Sequence, residues 1–213
     1  MQRFAELYQQ LDRSTATLEK RAALVMYFRS APPADAAWAL HLLCGGKITG
    51  PKRRIAGSAE LRNWIAQETG LPDWLVDDSY SQVGDLAETL ALLSDSIEPG
   101  ALTAPPEMPN SPADDLPLSI WIEQRLLPVA NQDEPVRRAA ITSVWRSLPF
   151  APRLVFNNLL TGALRVGVSQ RMVQQALAEM SGVDIARFVQ RRLGDWQPTE
   201  GYLATLCTPD ELP

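Results

Sequence analysis

The sequence predicts an all-α protein, on three observations. Apolar residues recur at the spacing i, i+3, i+4 and i+7 along nearly the whole chain, which places them on helix faces. No alternating apolar and polar run is long enough for a strand, and Gly167 between Val166 and Val168 is the nearest and too short. A pattern of helix, Gly stop, Arg-bearing turn, Ser and helix occurs twice. The expectation is a compact domain of about ten to twelve helices with internal pseudo-two-fold duplication.

Phe4, Leu7, Tyr8 and Leu11 define one face of a first helix, and Leu18, Ala22, Val25 and Met26 one face of a second. Ser30-Ala31-Pro32-Pro33 breaks the second, and Pro33 can open a third through Trp38 to Leu43, ended by Gly45-Gly46. Ser58 is placed to cap a helix carrying Leu61, Trp64 and Ile65, closed by Gly70. Pro72 opens a short helix through Trp74, and another runs from about Val83 to Leu93. Residues 95–117 contain six prolines and several acids and read as a linker. Helical spacing resumes at Ile120, Ile122, Leu126 and Leu127. Asp133 with Pro135 starts the helix through Val144, Pro149 and Pro152 precede the one through Leu159, and Ser169 and Asp184 cap two more. The linker divides a domain spanning 1–200 into halves of about 1–95 and 117–200, with 201–213 read as the start of a connection.

The duplicated segment carries the functional reading. Its first copy runs Leu42-Leu43-Cys44-Gly45, a loop ending Arg54-Ile55-Ala56-Gly57-Ser58, a helix to Gly70, then Gly84-Asp85. Its second runs Leu159-Leu160-Thr161-Gly162, then Arg165-Val166-Gly167-Val168-Ser169, a helix to Gly182, then Gly194-Asp195. A helix start leaves backbone N–H groups without partners and adds partial positive charge, so an Arg-bearing turn there suits a phosphate. In the second copy Arg165 supplies a charged fork, Gly167 close approach to the main chain, and Ser169 a hydroxyl. In the first copy Arg54, Gly57 and Ser58 take those parts, with Lys47, Lys52 and Arg53 on the longer loop. Such contacts read backbone charge and shape rather than base sequence. Generic helix punctuation is the competing explanation of the match.

The net charge of -5 hides an uneven distribution. Residues 73–123 hold eleven Asp or Glu and no Lys or Arg. Residues 41–64 hold Lys47, Lys52, Arg53, Arg54 and Arg62 against Glu60, and residues 153–193 hold six arginines against Glu179 and Asp184. The basic charge falls in the repeats, and a local field matters more to a phosphate than the total. No apolar run approaches the roughly 20 residues of a membrane span, and no signal-peptide core opens the chain. Cys44 and Cys207 have neither metal spacing nor support for a disulfide, so a cytoplasmic setting is expected.

Other chemistries find little footing. Gly45 to Lys52 departs from a phosphate-binding P-loop at its Lys-Ser/Thr end and follows no strand. His41, the sole histidine, sits among leucines and reads as a packing or surface residue. Asp77-Asp78 and Asp114-Asp115 read as solvated charge, and the six Trp mostly as core, with Trp196 packing the C-terminal exit.

The stretch Leu160 to Gln170 resembles the signature of the N-terminal DNA-binding domain of ATP-dependent DNA ligases. The likeness continues to Gly182 and through Arg191-Arg192-Leu193-Gly194-Asp195-Trp196-Gln197-Pro198-Thr199. Phe4-Ala5-Glu6-Leu7-Tyr8, Lys20-Arg21-Ala22-Ala23-Leu24 and Leu43-Cys44-Gly45-Gly46-Lys47 are similar to bacterial members. The resemblance implies an all-α, internally symmetric domain that binds the minor groove on both sides of a nick. Arg165, Gly167, Val168 and Ser169 would meet phosphates, the last three through main-chain N–H groups; Arg171 lies just inside the following helix. It also implies catalytic ligase domains in cis that use ATP and Mg2+ in DNA repair, working at the nucleoid. The family's catalytic Lys-x-Asp-Gly motif does not occur here, since Lys20, Lys47 and Lys52 are the only lysines. The expectation is therefore a non-catalytic domain for duplex or nicked DNA, sequence-independent, with no membrane partner. The rival is a helical protein-interaction scaffold with an acidic face.

Overall fold

The computed structural model describes residues 1–48, 54–97, 116–162, 164, 166–194 and 196–209. Among these the regular structure is twelve helices and no strand. They are α1 (Gln2–Arg13), α2 (Thr17–Ser30), α3 (Pro33–Leu43), α4 (Ser58–Thr69), α5 (Asp73–Val83) and α6 (Leu86–Leu93), which runs into a 3-10 turn at Ser94–Ser96. Then come α7, which joins Leu118–Ile120, a π-helical Trp121–Leu126 and Leu127–Val129, and α8 (Glu134–Ser147). The last four are α9 (Phe150–Thr161), α10 (Gln170–Ser181), α11 (Ile185–Arg191) and α12 (Glu200–Cys207). The wide turn in α7 precedes Pro128, which has no N–H to donate and whose ring crowds the carbonyl one turn back.

Short polar side chains start several of these helices by taking an orphan N–H. Ser169 Oγ accepts from Met172 at 3.1 Å, and Asp184 Oδ1 from Ala186 at 2.9 Å. Asp85 accepts from Glu88 at 2.9 Å and is the true start of α6, two residues beyond the expected Val83. Gly70 and Gly182 close the two matched helices with φ of 70° and 73°, a left-handed conformation that costs other residues.

The chain forms two compact units, and neither coincides with a linear half. One comprises Met1–Gln2, Ile48–Leu116 and Ile120–Ala163. In it α6 packs on α9, and α4 on α5, α6 and α8, around fully buried Trp64, Trp121, Trp145 and Phe156. Trp145 Nε1 donates to Asn157 Oδ1 at 2.8 Å, and Asn157 Nδ2 donates to Ala87 O at 3.1 Å, so the buried polar atoms are paired. Arg153, counted above with the basic charge, is buried here. It donates to Leu148 O at 3.0 and 2.7 Å, Ala91 O at 3.1 Å and Asp95 at 2.5 Å.

The other unit comprises Arg3–Lys47, Pro117–Ser119 and Leu164–Pro213. In it α10 packs on α2, α3, α11 and α12, and α12 packs on α3. Phe4, Leu24, Leu40, Val173, Leu177, Phe188 and Leu206 fill its core. The buried carboxylate of Asp35 accepts from Ser119 N, Ser119 Oγ and Leu118 N at 2.9, 2.7 and 3.0 Å, and so fixes the entry to α7. Glu200–Cys207, inside the stretch expected to be a connection, is a helix whose Leu203 and Leu206 are buried. The expected face of α2 is corrected: Leu18 and Met26 are 77% and 72% exposed, while Leu24, Val25, Tyr27 and Phe28 face the core. The helix has two apolar faces, and the one with aromatic bulk buries more area.

Each unit contains the same five-helix arrangement. The pairings α4–α5, α4–α6, α5–α6, α4–α8 and α6–α9 in one unit recur as α10–α11, α10–α12, α11–α12, α10–α2 and α12–α3 in the other. The duplication is thus real, and its halves are exchanged. The repeat α2 to α6 gives its first two helices to one unit and its last three to the other, and the repeat α8 to α12 does the converse. Most of the 95–117 segment lies outside the described residues.

Arg153→Ala removes donors to two buried carbonyls, whereas its ion pair counts for less because the Asp95 side chain is 60% exposed. A loss of about 2–4 kcal/mol in unfolding free energy is expected, measured by urea denaturation. An unchanged midpoint would show that Arg153 is not a core element.

Candidate nucleic-acid interface

The second turn lies wholly in the unit containing α10. Val166 is buried and anchors it, Gly167 is exposed, and Ser169 caps α10. Gly167 has φ of 59°, the left-handed region where a side chain costs about 1–2 kcal/mol. Three polar side chains frame the turn. Lys20 on α2 donates through Nζ to Gly167 O at 3.0 Å and Val166 O at 3.4 Å. Gln170 Nε2 donates to Cys44 O at 2.6 Å, tying the start of α10 to the end of α3. Arg192 Nη1 reaches Cys44 Sγ at 2.8 Å. An open cavity of about 330 Å³ lies between the end of α3 and the turn, lined by Leu43, Cys44, Val166, Gly167 and Gln170 among others. Burial pushes the Cys44 thiol up, with Arg192 opposing, so the thiol stays protonated at neutral pH.

Among the described residues no acceptor takes the main-chain N–H of Gly167, Val168 or Ser169. The first turn of α10 holds no acidic residue, so nothing in it competes with an incoming anion. The exposed Arg171 adds positive charge and has no ion pair among the described residues.

The first turn lies in the other unit and differs in one respect that decides its chemistry. Ser58 is not the cap. Gly57 is, and Ser58 is the first helical residue. The capping group is the Glu60 carboxylate, which accepts from Gly57 N at 2.6 Å and is held by Arg137 Nη2 at 2.8 Å. Arg137 also donates to Ile55 O at 2.5 Å. A carboxylate of the chain itself therefore already accepts the cap N–H at this helix start. Counted from its cap Gly57, the first helix is as long to Gly70 as the second is from Ser169 to Gly182, whereas counting from Ser58 leaves the first copy one residue shorter.

The predicted residues distribute accordingly. Arg54 and Ser58 are exposed and Gly57 is half-buried, in the first unit described above; Lys47, Gly167, Val168, Ser169 and Arg171 belong to the other. Lys52, Arg53 and Arg165 lie outside the described residues. The Lys47 carbonyl accepts from His41 Nε2 at 3.0 Å, and the His41 ring meets Trp38 and Trp196 edge-on, a packing role. Trp196 stacks on Tyr202 with centroids 5.0 Å apart. Trp74 departs from the expectation of core, at 68% exposed. Part of the counted basic charge is already committed. Arg62 pairs with Asp77, and Arg191 donates to carbonyls at the end of α12. Among the described residues no group of His, Cys, Asp and Glu is placed to hold a metal, and no helix is long and apolar enough to cross a membrane.

Lys20, Arg137, Gln170 and Glu60 were not singled out above, although a signal for the first two is present. Lys20 to Gly45 aligns with Arg137 to Gly162 without a gap: Lys20-Arg21-Ala22-Ala23-Leu24 matches Arg137-Arg138-Ala139-Ala140-Ile141, and Phe28-Arg29-Ser30 matches Trp145-Arg146-Ser147. Both cations therefore occupy one position of the repeat, and each donates to the carbonyl of the apolar residue that follows the turn's arginine.

The hydrogen bond from Arg137, then that from Gly57, holds the Glu60 carboxyl below its usual range, against an opposing effect of burial. A lowered folded value stabilises the protein above the ordinary carboxylate range, and this is lost as pH falls through the lowered value. Glu60→Gln should lower stability at pH 7 by about 1 kcal/mol, discounted because the side chain is 37% exposed. The gap to the unaltered chain should narrow as pH falls through the lowered value and close below it. Urea midpoints followed from pH 7 into acid check this, and a gap that does not change with pH would refute it.

A family model described as DNA ligase N terminus matches residues 1–178. No curated protein matches the chain.

Proposed function

The chain belongs to the DNA ligase N-terminal family, and on that premise we propose that it is a sequence-independent binding domain for duplex or nicked DNA. The observation that carries this reading is the group of unclaimed N–H donors at Gly167, Val168 and Ser169, at a helix start without acids and beside Arg171. They would take phosphate oxygens of the minor-groove edge, with Arg165 in support. The first turn would contribute chiefly through Lys52, Arg53 and Arg54, because Glu60 occupies Gly57 N–H at the helix start. Holding DNA in this way raises the local concentration of catalytic ligase domains in cis on a nick. ATP and Mg2+ would serve those domains, and the work would be nick sealing in cytoplasmic DNA repair.

The scaffold reading keeps one observation of its own: the exposed Trp74 beside exposed Asp73, Asp77 and Asp78 on α5. It predicts no affinity for duplex DNA. A labelled duplex, intact or nicked, titrated at KCl from about 50 to 200 mM separates the two, because phosphate contacts release counterions and affinity falls steeply with salt. Arg171→Ala should weaken all duplex sequences alike and reduce the slope of log K against log salt by about 0.9. Salt-independent or absent binding would favour the scaffold.

A further inference from the structure

We infer that Lys20 is a positioning residue that turns the N–H groups of Gly167 and Val168 toward the phosphate. This rests on the reading just given and adds to it a residue outside the turn. The geometry is simple. In a trans peptide the C=O of one residue and the N–H of the next point in opposite directions, and no described peptide is cis. Lys20 Nζ collects Val166 O and Gly167 O together. The N–H of Gly167 and the N–H of Val168 must then both face away from Lys20. Two successive peptides oriented alike require a helical-type conformation at the residue between them, and Gly167 supplies it with φ of 59°. The result is a pair of adjacent donors directed to one side, with the lysine charge behind them.

Two of the three ammonium donors of Lys20 are engaged by carbonyls, which holds the side chain against the turn. A Cβ on Gly167 would lie 2.9 Å from Nζ, which places the ammonium directly against the turn, although the flexible end of the lysine would yield to it at small cost. The arrangement recurs in the other unit, where Arg137, at the matching repeat position, donates to Ile55 O. There Glu60 already claims the N–H of Gly57. The same brace therefore serves two turns; in the first Glu60 takes the N–H of the cap residue Gly57, whereas in the second no described acceptor takes any N–H from Gly167 to Ser169.

The test uses the full chain with Lys20→Met, which keeps length and removes donors and charge, and Lys20→Arg, which keeps both. Lys20→Met should weaken binding to a labelled duplex about five- to tenfold, the worth of one or two hydrogen bonds. The slope against salt should stay the same, because the donors it disorders are uncharged. In the absence of DNA, the amide resonances of Gly167 and Val168 should shift in Lys20→Met, and Lys20→Arg should restore both affinity and resonances. Unmoved amides with unchanged affinity would overturn the inference. Unmoved amides with a slope lower by about 0.9 would do so too, by making Lys20 a direct phosphate contact. Failure of the unaltered chain to bind duplex would instead remove the DNA reading, and the amide arm would still decide whether Lys20 sets the turn.

Discussion

Peptide groups in a segment that leads into a helix need partners from elsewhere, and here a cation from a packed helix takes the carbonyls. Lys20 does this for Val166 and Gly167, and Arg137 for Ile55. The constraint follows from the exchanged repeats. The chain passes from one compact unit to the other ahead of each turn, at Lys47 to Ile48 and at Ala163 to Leu164. Neither helix pair therefore closes as a simple local hairpin that could satisfy its own connection.

From that shared frame the two turns diverge in how the following helix is capped. Glu60 reaches back to cap α4, whereas a neutral Ser169 caps α10. At one helix start a carboxylate paired with Arg137 already takes a main-chain N–H, and at the other the cap is a neutral hydroxyl. Counting cations does not reveal this. Arg153 is consumed in a core, Arg191 caps α12 and Arg62 pairs with Asp77, so a stretch rich in arginine offers fewer free charges than its composition suggests. The unclaimed main-chain donors are the more selective feature.

Much of the fold was legible in the sequence. Helical spacing, the stops at Gly70 and Gly182 and the caps at Ser169 and Asp184 correspond to the structure, because each acts within one turn of its own position. What failed needed knowledge of a distant neighbour. Ser58 lost the cap to Gly57 because Arg137 steadies Glu60 from another helix. Leu18 and Met26 lost the core to Tyr27 and Phe28 because α2 is apolar on two faces. The braces at Lys20 and Arg137 were visible as an ungapped repeat, but only the packing of α2 on α10 and of α8 on α4 gives that repeat a role.

The central claim is that the main chain at the start of α10 holds a phosphate. Amide chemical shifts of the chain, followed while a short unlabelled duplex is added, test it most directly. The account predicts the largest changes from Gly167 to Arg171, with little movement on α5. Changes concentrated around Trp74 and Asp77, with Gly167 to Arg171 still, would contradict it.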